Sequence, residues 1–372
     1  MRRLCRAIRD GSSTGFLFHS PLVCVPAWAL LVFCMMSMQE AFVGSAQVKL
    51  GKPSPTVSNL RYGPEKRNVL DLWVPEVNAP VPLVLYFHGG GFKQGNKSMI
   101  SGKEIREALN RGTAIASVQY QFVHREDLSD RERAGVDSVM RGSARAVQFL
   151  RHHAEEYGID PERVACYGES AGSGISFWIA AHDDLADSHS NDPVARQSTR
   201  ISAVALTNGQ YTYDISKWLP EFSSRFGSGL KNFDTINHAA FFGLSDDAYE
   251  GPEGAKRRAN ADMISFLSPD DPPMLMVTPA ASRRPISIVG FSHHPLHVEL
   301  VEARCREVGV EIKTLLPKVR PEDAVYLKQN PLPALRFVLD RVAKPAGSTE
   351  EDPDRPAGGS VSGTIEASSP SN

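Results

Sequence analysis

Arg163-Val164-Ala165-Cys166-Tyr167-Gly168-Glu169-Ser170-Ala171-Gly172 reads as a strand, Arg163 to Tyr167, that runs straight into a tight turn, and the apolar stretch Gly174 to Ala181 behind it reads as a helix. The turn carries the pattern G-x-S-x-G, from Gly168 to Gly172. Between a strand and a helix this pattern forces the serine into a strained backbone conformation. The flanking glycines remove side chains that would collide with the neighbouring strand and helix. Ser170 is then held out at the C-terminal edge of a sheet, with the N-terminus of the following helix pointing at any negative charge that develops beside it.

A second motif lies upstream. Val81 to Phe87 is a continuous apolar run suited to a buried strand, and His88-Gly89-Gly90-Gly91-Phe92 follows it directly. Glycines let a backbone approach a substrate closely, so the N–H groups of Gly89 and Gly90, with that of Ala171, form a candidate oxyanion hole.

Working outward, Asn68 to Val74 opens a sheet, and a helix over Lys103 to Asn110 leads to a strand over Thr113 to Val118. Arg131 to Tyr157 is a long helix whose Ala144, Val147 and Leu150 recur at three-residue spacing, with Gly158 as its stop signal. Ile201 to Leu206 and Met274 to Val277 are further strands, and a strand over Val310 to Leu316 and a helix over Leu332 to Val342 end the pattern. Strands alternating with helices call for a mostly parallel central sheet with helices on both faces. Residues 210–265 carry Trp218, Phe222, Phe226, Phe233, Phe241 and Phe242 without strand periodicity, which suits a small helical cap insertion.

With both motifs in order and each behind a strand, the sequence resembles the α/β-hydrolase fold and is most similar to the HGGG-type carboxylesterases, hormone-sensitive-lipase-like and feruloyl/acetyl-esterase-like. The resemblance runs from about Leu60 to Val342 and includes LDLWVP (70–75), LYFHGGGFKQG (85–95), RVACYGESAG (163–172) and SPDDPPMLMV (268–277). It implies hydrolysis of a small ester without a cofactor or metal, through an acyl-enzyme on Ser170. It also implies that His88 positions the oxyanion loop rather than acting as a base.

A triad on this fold needs, after the serine, an acid behind a late strand and then a histidine behind the last strand. Thr278-Pro279-Ala280-Ala281-Ser282 contains no carboxylate, Pro317-Lys318-Val319-Arg320-Pro321 contains no histidine, and none occurs after His297. A serine hydroxyl is a poor nucleophile at neutral pH without a positioned base. The best substitutes sit in Ser292-His293-His294-Pro295, because a loop leaving the C-terminal end of a strand starts its helix on the edge where Ser170 is displayed. Of the two histidines His294 is the first choice as base and His293 the second. The alternative has Ser292 capping the helix, Pro295 as its first residue, and both histidines as polar rim. For the acid, Asp214 lies on the loop after Ile201 to Leu206. Asp270 and Asp271 precede their strand and belong at the opposite edge, and Glu169 is a motif filler that points away.

The N-terminus carries Arg2, Arg3, Arg6 and Arg9, then a charge-free stretch from Gly11 to Gln39 holding the apolar run Pro21 to Met38, and small residues Gly44 and Ala46. Residues 1–46 therefore read as an export signal cleaved before Gln47, placing the mature chain in a periplasm or outside the cell. Membrane attachment is expected only if this leader stays uncleaved. Residues 47–343 form the hydrolase domain, and the Pro-, Gly-, Ser- and acid-rich tail 344–372 reads as disordered. Three of the five cysteines fall in the leader, so Cys166 and Cys305 read as packed thiols and not as a disulfide framework.

The net charge is −2 over 372 residues, with 41 Lys and Arg interleaved with 43 Asp and Glu. Nucleic-acid binding needs clustered cations and is not expected. Two functions from different classes remain: an exported serine hydrolase of small esters, or an inactive hydrolase fold kept as a binding module. The discriminator is whether an imidazole comes within hydrogen-bond reach of Ser170.

Overall fold

A computed structural model describes residues 51–123, 134–230 and 236–343. The leader at 1–46, the tail at 344–372, Phe233 and the start of the helix read from Arg131 lie outside those residues.

Val81–Phe87 forms strand β3, with every one of its seven residues buried. A strand buried on both faces has no room for polar alternation, which is why the apolar run is unbroken. It pairs in parallel with β4 (Ala114–Gln119) on one side and β5 (Ile159–Glu169) on the other. From β5 the sheet continues in parallel through β6 (Val204–Thr207), β7 (Met274–Val277) and β8 (Ile312–Leu315). Beyond β4 it runs antiparallel through β2 (Val69–Trp73) to β1 (Val57–Arg61), a short exposed-edge strand not anticipated from the sequence. The eight strands lie in the order β1-β2-β4-β3-β5-β6-β7-β8.

Alternate residues of each strand feed two cores. Leu83, Leu85, Phe87, Val164 and Cys166 face helices α2 (Val136–His152) and α4 (Ala171–Ala181). Val84, Tyr86, Ala165 and Tyr167 face α1 (Gly102–Asn110) and the C-terminal α13 (Pro333–Ala343). The long helix expected up to Tyr157 breaks at His153, leaving a single turn, α3 (Ala154–Tyr157), closed by Gly158 at φ 64° as its left-handed cap. Among the described residues, 210–265 contribute helices and no strand: α5 (Trp218–Phe226), α6 (His238–Phe241), α7 (Asp246–Glu250), α8 (Pro252–Asn260) and α9 (Met263–Phe266). Between β7 and β8 lie α10 (Ile288–Ser292) and α11 (Pro295–Val308), and α12 (Pro321–Gln329) precedes α13. Cys166 and Cys305 are both buried and unpaired.

This order places the site. The chain leaves β3 toward the face that carries α1 and leaves β5 toward the opposite face, which carries α4. Between two neighbouring parallel strands whose connections diverge, a crevice opens at their C-terminal ends. His88 to Phe92 and Ser170 flank that crevice.

Candidate active site

Ser170 sits between β5 and α4 at φ 51°, ψ −115°, a backbone conformation that costs a residue other than glycine about 1–3 kcal/mol. The surroundings hold it there. Its N–H donates to Thr207 O at the end of β6 (2.8 Å), and Gly172 lets α4 start against β3, since a Cβ on Gly172 would stand 2.0 Å from Phe87 O. Ser170 itself is half-buried, and Glu169 points to solvent.

The glycine loop closes on the same point. A Cβ on Gly89 would lie 3.6 Å from Ser170 Cβ and 3.1 Å from Glu169 O, so the main chain passes directly beside the serine. Gly90 adopts φ 126° with Gln94 O where a Cβ would be, and its carbonyl accepts the N–H groups of Lys93 and Gln94 (both 3.1 Å). The N–H groups of Gly89 and Gly90 lie beyond the β3 ladder, which ends at Phe87. Neither they nor Ala171 N–H, the first of α4, donates to any described residue.

His88 is fully buried beneath this loop. Its Nδ1–H donates to Gly89 O (2.7 Å), its ring stacks on Tyr120 at 4.3 Å, and Tyr120 OH donates to His88 O (2.7 Å). Burial lowers its pKa to about 4, with the Gly89 bond partly opposing that shift. His88 is therefore neutral at pH 7, with its protonated nitrogen spent on the loop backbone and not on Ser170. Phe92 anchors the far side of the loop, edge-on to Tyr213 (5.0 Å) and Phe241 (6.0 Å) of the helical segment.

The imidazole that reaches the serine is His293. Its Nε2 lies 2.9 Å from Ser170 Oγ. For the hydroxyl to donate, Nε2 must carry the lone pair and Nδ1 the proton. Burial pushes the His293 pKa below its usual value.

His294, the first choice from the sequence, is not at the serine, and the reason lies in Pro295. A residue before proline is driven to extended backbone, and His294 adopts φ −69°, ψ 143° as the N-cap of α11, one residue after His293 closes α10. Neighbouring side chains across such a junction diverge. His294 accepts Leu296 N–H on Nδ1 (2.9 Å), donates from Nε2 to Arg283 O (3.1 Å), and packs edge-on against Phe222 and Phe226 at 5.2 and 5.1 Å. The cap is thus His294 and not Ser292, whose hydroxyl donates to Ile288 O (2.6 Å).

Asp214 is not at His293 either. It begins a 3₁₀ turn, Ile215–Lys217, and its Oδ1 accepts the Ser216 hydroxyl at 2.5 Å. Among the described residues no carboxylate hydrogen-bonds His293. Asp271 stands with Ser268 and Arg200 before β7, at the far edge of the sheet.

What does surround His293 was passed over in the sequence. Thr278, the residue after β7, donates from Oγ1 to His293 O (2.9 Å) and lies 3.1 Å from Asn208 Oδ1. Gln210 donates from Nε2 to Ser292 O (2.8 Å) and Asn208 O (2.9 Å), and its Oε1 accepts Tyr213 OH (2.8 Å). The available signal was a pair of polar residues, each on a loop just after a buried strand. The triad pattern marks only a carboxylate on such loops, and neither residue is one.

A sheet with this strand order, a strained serine behind β5 and a glycine loop behind β3 define an α/β-hydrolase. The family model described as BD-FAE matches residues 70–281, more than half of the chain, and the chain belongs to that family. Among curated relatives, the probable isoprenylcysteine alpha-carbonyl methylesterase ICMEL1 of Arabidopsis thaliana is 29% identical over 167 residues, covering 44% of this chain and 32% of that protein. Carboxylesterase NlhH of Mycobacterium tuberculosis is 32% identical over 108 residues, 29% of this chain and 31% of that protein. The chain spans about a third of the length of these relatives. Among solved structures, a truncated carbohydrate esterase from gut microbiota superposes with TM-score 0.53 at 16% identity, covering 79% of this chain and 98% of that one. An acetyl ester-xyloside bifunctional hydrolase from Caldicellulosiruptor lactoaceticus gives TM-score 0.52 at 16% identity, covering 77% of this chain and 96% of that one. At such identities these two share the fold.

Proposed function

We propose that the protein is a serine hydrolase that cleaves a small carboxylic ester through an acyl-enzyme on Ser170, with His293 as its base. The observation that carries this reading is the 2.9 Å contact between Ser170 Oγ and His293 Nε2 at a strained strand-to-helix turn. Ser170 Oγ attacks the ester carbonyl carbon as its proton passes to His293 Nε2, and the oxyanion forms against the N–H groups of Gly89, Gly90 and Ala171. His293 returns the proton to the departing alcohol oxygen, leaving the acyl group on Ser170. A water then attacks the acyl carbon, giving its proton to His293, and as the second oxyanion collapses and the acyl–Oγ bond breaks, His293 returns that proton to Ser170 Oγ, releasing the acid. Esterases among the relatives support this class. An acetyl ester on a carbohydrate is the substrate we favour, with both compared structures bearing carbohydrate-directed names. We infer export from the arginine-rich, apolar leader.

The second reading, an inactive scaffold that binds, is favoured by one observation: among the described residues no carboxylate supports the His293 ring. Intact-mass analysis after exposure to a fluorophosphonate separates the two. One adduct on the wild type, absent from Ser170→Ala and formed far more slowly by His293→Ala, is expected of the hydrolase. No adduct on folded wild-type protein would leave the scaffold.

A further inference from the structure

We propose that His293 is aligned on Ser170 through its own main chain, by two buried positioning residues, Thr278 after β7 and Gln210 after β6. The proposal rests on the reading of Ser170 and His293 as nucleophile and base, and deepens it.

The argument begins with the sheet register. β6 and β7 pair in parallel with Thr207 opposite Val277, so the residues that follow, Asn208 and Thr278, emerge side by side at the edge that bears Ser170. Asn208 N–H donates to Val277 O (2.8 Å) and Thr278 N–H to Leu315 O (3.1 Å), which extends the ladder into the loops and fixes both backbones. Onto this frame the chain lays Ser292 and His293. Their consecutive carbonyls each receive a side-chain donor, Gln210 Nε2 at 2.8 Å and Thr278 Oγ1 at 2.9 Å. His293 N–H is spent on Val289 O (3.0 Å) at the end of α10. Both polar groups of the His293 main chain are thereby tied, one to its own helix and one to the sheet.

A threonine hydroxyl has one hydrogen, and of its two acceptors His293 O at 2.9 Å is nearer than Asn208 Oδ1 at 3.1 Å; with the hydrogen on His293 O, an Asn208 amide turned to present Nδ2 would complete the set. Gln210 has both donors committed, to the carbonyls of Asn208 and Ser292, and its Oε1 accepts from Tyr213 OH. Thr278 and Gln210 are 1% and 3% exposed, so water does not compete for these bonds. A carboxylate on a catalytic imidazole normally fixes the tautomer and the direction of the ring. Here the main chain that carries the ring is tied at both of its polar groups, and the ring's two side-chain torsions complete its direction. Displacement of a reacting group by about 1 Å can cost roughly 100-fold in rate. Thr278 and Gln210 do not touch the substrate; they act through His293.

The test uses Thr278→Val, which removes the donor, Thr278→Ser, which keeps it, and Gln210→Leu as an independent second site. Turnover of a small ester is measured together with the ring 15N shift of His293, assigned by its loss in His293→Ala. Thr278→Val is expected to lower kcat about 10- to 100-fold with KM little changed, and to move the Nε2 signal away from its hydrogen-bonded position. Thr278→Ser is expected to restore both, and Gln210→Leu to follow Thr278→Val in the same direction. Thr278→Val with wild-type kcat and shift overturns the proposal. So does a Thr278→Ser variant as impaired as Thr278→Val, which would make the side chain's volume and not its hydroxyl the cause. If Thr278→Val does not fold, Gln210→Leu decides by the same two readouts. If the wild type neither turns over esters nor takes a fluorophosphonate, the hydrolase reading has failed and the ring shift alone decides the positioning. A shift that changes on loss of the hydroxyl upholds it, and an unchanged shift overturns it.

Discussion

Ser170 Oγ and His293 Nε2 meet at 2.9 Å although 123 positions of sequence separate them. Ser170 hangs on Thr207 O at the end of β6, and His293 on Thr278 at the end of β7, so two adjacent rungs of one parallel sheet set their separation. Replacing either partner is expected to remove activity by several powers of ten, as losses of one member of such a unit do. His294→Ala is expected to behave differently. It removes an N-cap and a buried ring and should cost about 2–4 kcal/mol of stability while leaving kcat within a few-fold where the protein is folded. Parallel kcat and urea-unfolding measurements on His293→Ala and His294→Ala check this. Equal loss of kcat in both, with His294→Ala fully folded, would mean that His294 reaches the serine.

The pH dependence follows from the same contact. His293 can accept the serine proton only when its ring is neutral, so kcat/KM falls as pH drops through its pKa. Burial holds that pKa below the usual 6.5, so the acid limb of the profile is expected below pH 6.5, with near-constant activity from there to pH 8. A carboxylate bonded to Nδ1 would raise the pKa and carry the limb above 6.5. The position of that inflection in kcat/KM therefore also reports whether an acid serves the ring.

The two glycine motifs made the fold legible because each has a steric cause: Gly172 is needed where α4 starts against Phe87, and Gly90 where the loop turns back on Gln94. The apolar periodicities placed β2 to β8 within a few residues. β1 was missed because Val57–Arg61 is partly exposed and carries no apolar run. At the site, the sequence narrowed the candidate base to His293 or His294 and put His294 first, whereas His293 is the one that reaches Ser170. Which of two adjacent side chains faces the serine depends on the backbone kink before Pro295, and spacing alone does not encode its direction. Thr278 and Gln210 stayed invisible for another reason. Hydrogen bonds to a main-chain carbonyl need no particular residue type, so no motif marks them.

The oxyanion loop gives a prediction about transition-state binding. Gly90→Ala would place a Cβ where Gln94 O now lies, 2.1 Å away, at a φ of 126° that alanine strongly disfavours. The loop must shift, and the N–H groups of Gly89 and Gly90 with it. Loss of one oxyanion donor typically costs about 100- to 1,000-fold in kcat. Because the hole engages the substrate only as charge develops, kcat should fall while KM changes little, and the fluorophosphonate labelling rate should fall in parallel. Unchanged kcat in Gly90→Ala would mean that the hole is built elsewhere.

Two histidines that never meet Ser170 make the fold sensitive to acid. His297 is fully buried among Trp218, Phe222 and Tyr211, with Nε2 bonded to Phe291 O (3.1 Å) and Nδ1 without a partner among the described residues. Burial lowers its pKa to about 3, and that of His88 to about 4. An unfolded histidine takes up its proton near pH 6.5, so between there and the folded value the unfolded state binds more protons and stability falls as pH falls. Both contributions are intact above pH 6.5, begin to drain below it, and are exhausted below about pH 4 and pH 3, with a loss on the order of 3 kcal/mol for His88 and somewhat more for His297. His297→Phe forfeits the Phe291 bond and should be about 1 kcal/mol less stable at pH 7. It no longer has a proton to take up, so its stability should decline less steeply than the wild type's from pH 6.5 to 4. Urea unfolding at pH 7, 5.5 and 4.5 compares the two slopes, with His88, His293 and His294 present in both proteins. Parallel declines would mean that His297 titrates in the folded protein as it does in the unfolded chain, and would place the acid sensitivity on other groups.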